Sequence, residues 1–116
     1  MDTAKLESIA RTLVNKGKGI LAADESSGTI KKRFDSIRVE STEKNRLFYR
    51  HMLFTTEGIR NFISGVILFD ETIHQTNQDG VPLHELLSRQ GILPGIKVDK
   101  GAKEMSGFPG EKITEG

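Results

Sequence analysis

Three short runs, each opened by glycine and followed by charge, the first two apolar throughout, constrain this chain more than anything else in it. They are Gly19-Ile20-Leu21-Ala22-Ala23 before Asp24, Gly65-Val66-Ile67-Leu68-Phe69 before Asp70-Glu71, and Gly95-Ile96-Lys97-Val98-Asp99 before Lys100. Runs this short, bounded by glycine and acid, read as strands, and the first two have the composition of strands buried on both faces. Segments with helical spacing separate them. Strands alternating with helices predict right-handed crossovers and a parallel sheet, so the fold class is α/β and the three strands form part of a larger architecture.

The helices follow from spacing and capping. Leu6, Ile9, Ala10, Leu13 and Val14 recur at threes and fours, with Asp2 or Thr3 to cap and Gly17 to stop. Ser26 or Ser27 caps a second helix through Ser36, with Ile30 and Phe34 four apart, and Ser41 or Thr42 caps a third through about Phe54. After the Asp79-Gly80 turn, Leu83, Leu86 and Leu87 mark a short helix ending near Gly91. Residues 101–116 hold Gly107, Pro109 and Gly110 without a period and read as a loop.

Composition excludes several classes of function. With 17 basic and 16 acidic residues the net charge is +1, too little to draw nucleic acid or an anionic membrane, so neither is expected as a partner. The longest apolar run, Val66 to Phe69, is too short to span a bilayer, and no apolar leader follows Met1. Without cysteine there is no disulfide, thiolate metal site or thiol nucleophile, which is compatible with the cytoplasm, the expected compartment. His51, His74 and His84 lack metal-ligand spacing, so no metal is expected. Gly17-Lys18-Gly19 precedes a strand and lacks the spacing of a nucleotide loop.

The ends of the strands carry the candidate chemistry. In parallel α/β sheets functional side chains gather at the carboxyl ends of strands, where Asp24, Asp70-Glu71 and Lys97-Asp99-Lys100 fall. Alternation puts Ile96 and Val98 on one face and Lys97 on the other with Gly95 and Asp99. If helices cover the apolar face, Lys97 points inward, where it and Asp24 are natural ion-pair partners; solvated strand-end charges are the plainer alternative. Ser26, Ser27 and Thr29 stand at a helix start, with Lys32 and Arg33 one to two turns on, either a phosphate seat or a capped basic turn. Arg46, Tyr49 and Arg50 read most simply as a solvent-facing stripe on the third helix, from which Arg46 still reaches an anion.

The run Gly17 to Ser26 (GKGILAADES), with Lys32-Arg33 after it, closely resembles the first strand and turn of class I fructose-bisphosphate aldolases. Asn45-Arg46, Phe48-Tyr49-Arg50, Gly65 to Phe69 with Glu71-Thr72, and Gly95 to Gly101 (GIKVDKG) match the same family in the same order. The resemblance implies a (β/α)8 barrel that reversibly cleaves fructose 1,6-bisphosphate into dihydroxyacetone phosphate and glyceraldehyde 3-phosphate through a lysine Schiff base, without a cofactor. It implies Asp24 as the strand-one acid that assists proton transfers and Lys97 as the strand-three lysine that contacts substrate. Ser26, Thr29, Lys32 and Arg33 fall where the family holds the sugar-phosphate ends, and Arg46 matches an arginine of substrate binding. The family's imine-forming lysine and catalytic glutamate pair lie on later strands, without counterparts here.

A complete barrel takes about 250 residues. Residues 1–116 are therefore expected to be the N-terminal part of one barrel domain, its first three strands with their helices, ending before the Schiff-base lysine and inactive alone. The resemblance implies a homotetramer for the full-length protein. A noncatalytic sugar-phosphate-binding module and another Schiff-base lyase on the same barrel are the rival readings. Phe108-Pro109 departs from the family pattern in the loop after the third strand.

Overall fold

The computed structural model describes residues 1–116. Helix α1 (Thr3–Leu13) is capped by Asp2, whose carboxylate accepts from the Lys5 amide at 3.0 Å, and strand β1 (Gly19–Ala23) follows. Helices α2 (Ser27–Ser36) and α3 (Glu43–Phe54) come next, the latter capped by Thr42, which accepts from the Asn45 amide at 3.1 Å. Strand β2 (Ile63–Leu68) leads into the single turn α4 (Asp70–Ile73), then α5 (Leu83–Arg89) and strand β3 (Leu93–Ile96).

The three strands form one parallel sheet in the order β1-β2-β3, as the alternation of strands and helices predicts. Its register sorts the side chains, because residues paired across a ladder point to the same face. Ala23 pairs with Leu68 and Leu68 with Ile96; Ala22 pairs with Ile67 and Ile67 with Gly95. On the first face, Ala23, Val66 and Leu68 pack with Phe54 of α3, Leu83 and Leu87 of α5, and Ile92 to make the core. Phe34 of α2 meets the Tyr49 ring edge-on at 5.7 Å, which seats α2 on α3.

The second face is largely open. Ile20 is 48% exposed, Ala22 and Gly95 are exposed, and only α1 approaches, at the amino end of the strands. There a Cβ on Gly65 would stand 2.5 Å from the Leu13 side chain and 3.3 Å from the Leu93 carbonyl, so glycine lets α1 lie against β2. Ser64 ties the same helix down by donating to the Leu13 carbonyl at 2.7 Å. One expectation is corrected here: the strand β1 is not buried on both faces, because one face of the sheet is uncovered there, and the helix α1 likewise has no buried residue.

Strand ends also differ from the sequence reading. The strand β2 begins at Ile63 and β3 runs Leu93–Ile96 instead of Gly95 to Asp99. The ladder sets the limit: β2 turns into α4 after Leu68, whose partner is Ile96, and the Lys97 amide makes the last bond, 2.9 Å to the Leu68 carbonyl. Residues 101–116, read as a loop, contain an antiparallel pair, β4 (Ala102–Glu104) and β5 (Lys112–Thr114). Gly107 and Gly110, with φ of 80° and 85°, make the connecting turns.

The surface is 8324 Å² and the radius of gyration 16.5 Å. A compact monomer of 12.9 kDa has roughly 6,300 Å² of surface, and 116 residues pack to a radius near ~13 Å. The excess of about 2,000 Å² matches what a specific protein–protein interface buries in total.

Candidate functional site at the carboxyl ends of the strands

Past the last ladder pairs, β1 delivers Asp24, β2 delivers Phe69 and Asp70, and β3 delivers Lys97. By register Asp24, Phe69 and Lys97 continue the face of Ala22, Ile67 and Gly95, the one the helices α3 and α5 leave open. A cleft of about 980 Å³ lies over these ends and includes Asp24, Ser26, Thr29, Arg33, Lys97 and Asp99 in its lining. Lys97 thus stands on the face opposite Ile96, as alternation expects, although Ile96 and Val98 are exposed and not covered by helices.

Its partner is different from the one expected. The Lys97 ammonium pairs with the Asp99 carboxylate, not with Asp24. The strand stops at Ile96 and the chain folds back, with the Gly101 amide donating to Asp99 at 3.0 Å, so Asp99 swings beside Lys97. The Lys97 hydrogen bond, then that of Gly101, holds the Asp99 carboxyl below its usual range.

Across the cleft, Ser26 is the residue before α2, but its hydroxyl makes no capping bond and lies 3.2 Å from the Thr29 hydroxyl. First-turn amides lack intrahelical acceptors, so the helix start, two hydroxyls and Arg33 offer donors to an anion from one side. Arg33 is 3.9 Å from the buried Glu25 carboxylate. Lys32 points elsewhere, since a helix turns about 100° per residue, and it is absent from the lining.

Behind the cleft stands a polar network. Arg46 grips Glu71 with two bonds, Nε to Oε1 at 2.8 Å and Nη2 to Oε2 at 2.7 Å, and donates to the Ser41 carbonyl at 2.8 Å. Arg50 is wholly buried and donates through Nη2 to the Glu25 carbonyl at 2.7 Å, with Glu71 at 3.8 Å and the Phe69 ring centre at 5.7 Å. The solvent-facing stripe is thus corrected: Arg50 shares a face of α3 with buried Phe54, one turn on, and that face meets the strand ends. Its hydrogen bond to Arg46 keeps the Glu71 carboxyl below its ordinary value of 4.5, the same bond raises Arg46, and burial lowers Arg50. No three His, Asp or Glu side chains stand together as a metal would require, and no helix is long and apolar enough to cross a membrane.

Strand ends with an acid on β1, a lysine on β3 and an anion seat at α2 meet a decisive likeness: the family model for glycolytic class I fructose-bisphosphate aldolase matches residues 5–116. The chain belongs to the class I fructose-bisphosphate aldolase family. It is 57% identical over 112 residues to fructose-bisphosphate aldolase 1 of Toxoplasma gondii, covering 97% of this chain and 31% of that protein. A probable class 1 aldolase of Xanthomonas axonopodis pv. citri is 53% identical over 116 residues, all of this chain and 35% of its own. The Plasmodium falciparum aldolase, solved with TRAP and a small-molecule inhibitor, superposes with a TM-score of 0.92 at 54% identity, over 97% of this chain and 33% of that one. The chain spans about a third of the length of the curated relatives it matches.

Within this chain the structure brings together Asp24, Lys97, Ser26, Thr29 and Arg33 in the cleft, and places Lys32 and Arg46 outside its lining. Glu25, Arg50 and Asp99 were missed as organising residues. The signal for Arg50 was its spacing of four from both Arg46 and Phe54 on one helix.

The Arg46–Glu71 clamp sets a pH dependence. A carboxyl held below its ordinary value of 4.5 contributes stability in full above that pH and loses it as the pH falls through the depressed folded value. In a chain of the relatives' full length that carries these residues, Glu71→Gln is expected to lose about 1–3 kcal/mol at pH 7. Denaturant midpoints of variant and parent should converge on acidification below the carboxylate range; parallel curves would show that Glu71 carries no such linkage.

Proposed function

We propose that residues 1–116 are the first three strands and accompanying helices of a single (β/α)8 barrel, preceding its imine-forming lysine, and that the full-length protein is a fructose-bisphosphate aldolase. It cleaves fructose 1,6-bisphosphate reversibly into dihydroxyacetone phosphate and glyceraldehyde 3-phosphate. The observation that carries this reading is the meeting of Asp24, Lys97 and the Ser26–Thr29–Arg33 donors in one cleft at the strand ends. The open second face and the excess surface support a barrel whose other strands and side chains fill that side.

In the reaction a lysine of a later strand condenses with the C2 ketone. As the C3–C4 bond breaks, the C4 hydroxyl proton passes to a base and the bonding electrons move into the iminium, leaving an enamine. The imine is its own electron sink, so no cofactor is invoked. Asp24 takes and returns protons at the carbinolamine and bond-cleavage stages. Lys97, held by Asp99, presents a fixed positive charge to substrate oxygens. Ser26, Thr29 and Arg33 receive a phosphate at the α2 terminus, with Lys32 and Arg46 supplying positive charge from farther away. The cytoplasm and a homotetramer belong to the same reading.

The test is turnover. A full-length protein carrying these residues should release triose phosphates from fructose 1,6-bisphosphate, and residues 1–116 alone should not. Absence of cleavage by the full-length protein would overturn the assignment.

A further inference from the structure

We infer that Arg50 is a positioning residue for Asp24, fixing the end of β1 against the end of β2 where the sheet ladder no longer does so. The inference rests on the catalytic reading of Asp24 above. The β1–β2 ladder closes at Ala23 and Leu68, and Asp24 is the next residue, so strand pairing does not hold its peptide. From there the two chains part, one into α2 and the other into α4.

Arg50 spans this gap from behind. Its Nη2 donates to the carbonyl of Glu25, directly after Asp24, at 2.7 Å, while Nη1 stands 3.8 Å from Glu71 just beyond the end of β2. Its guanidinium also lies over the ring of Phe69, which lines the cleft beside Asp24, at 5.7 Å. Glu71 is itself immobilised by the two bonds from Arg46. A rigid connection thus runs from α3 through Glu71 and Arg50 to the peptide that aims the Asp24 carboxylate.

Stability alone is a poor account of this arginine. It is fully buried, and its Nε and Nη1 make no hydrogen bond. Buried ion pairs replaced as a whole by apolar residues of similar volume often lose no stability, so burial of the charge is weak evidence for a purely stabilising role. What an apolar residue does not supply is the directional bond to the Glu25 carbonyl. Arg50 is absent from the cleft lining, so it acts through Asp24.

The experiment is a double-mutant cycle in the full-length enzyme with Asp24→Asn, Arg50→Met and the pair, measuring kcat and KM for fructose 1,6-bisphosphate. Arg50→Met is expected to lower kcat roughly 10- to 100-fold, the cost of a misplacement on the order of 1 Å. KM should stay within about threefold, and the pair should be no slower than Asp24→Asn alone. Arg50→Lys, which keeps the charge and can still donate to the Glu25 carbonyl, should recover part of kcat; if Arg50→Met does not fold, the lysine variant completes the cycle. Losses that multiply in the pair would make Arg50 merely structural and overturn the inference. A slow Asp24→Asn beside an Arg50 variant of parental kcat would overturn it while leaving the function reading intact. An Asp24→Asn variant of parental kcat would remove that reading and the inference with it.

Discussion

Asp24→Asn in the full-length aldolase is expected to lower kcat about 10²- to 10⁴-fold, the range a positioned proton-transfer group contributes. KM should change by no more than about threefold, because asparagine fills the same space at the end of β1 and keeps the cleft intact. What it cannot do is accept and return a proton. Lys97→Met should behave differently. It removes the charge that Asp99 holds in place and that the proposed function assigns to substrate contact, so its loss should appear largely in KM, with Asp99 left beside a neutral neighbour. Parental turnover by Asp24→Asn would move the proton-transfer role off β1.

Residues 1–116 produced alone are expected to associate, bind hydrophobic dyes and unfold without a sharp cooperative transition. Only 15 of the 116 residues are buried, and the surface exceeds that of a compact chain of this mass by the area of a whole interface. Two of the three strands, β1 and β3, are edges with unpaired backbone, and Ile20 is exposed on the uncovered face. Sedimentation and a thermal melt across a concentration series decide it. A monodisperse monomer with a steep, concentration-independent transition would show that the core of Phe54, Leu68, Leu83, Leu87 and their neighbours suffices by itself.

How far the sequence was legible depended on whether the relevant physics was local. The helices were readable because spacing and caps are local: Asp2 and Thr42 cap as their positions imply, and Ile30 and Phe34 are buried together on α2. The face on which Lys97 stands was readable because alternation is a local geometric rule. Its ion pair was not, since Asp99 comes beside it only because the ladder with β2 runs out at Ile96. Arg50 illustrates the same limit: its spacing of four from Phe54 marks a buried position, but its bond to the Glu25 carbonyl joins residues 25 positions apart and no local rule gives that partner. The hairpin of β4 and β5 escaped because each strand has only 3 residues, too few for a period to register. Burial of β1 on both faces, read from its apolar composition, is not what the structure has, because composition does not tell which faces of a strand find a covering layer.

The central claim is a division of labour, with proton transfer and substrate contacts on these first strands and the nucleophile on a later one. Borohydride reduction of the full-length protein with dihydroxyacetone phosphate, followed by peptide mapping, tests it most directly because reduction locks the imine onto the lysine that formed it. A single stoichiometric adduct on a lysine beyond residue 116 is the expected result; an adduct on Lys97, or on any other lysine within residues 1–116, would contradict it.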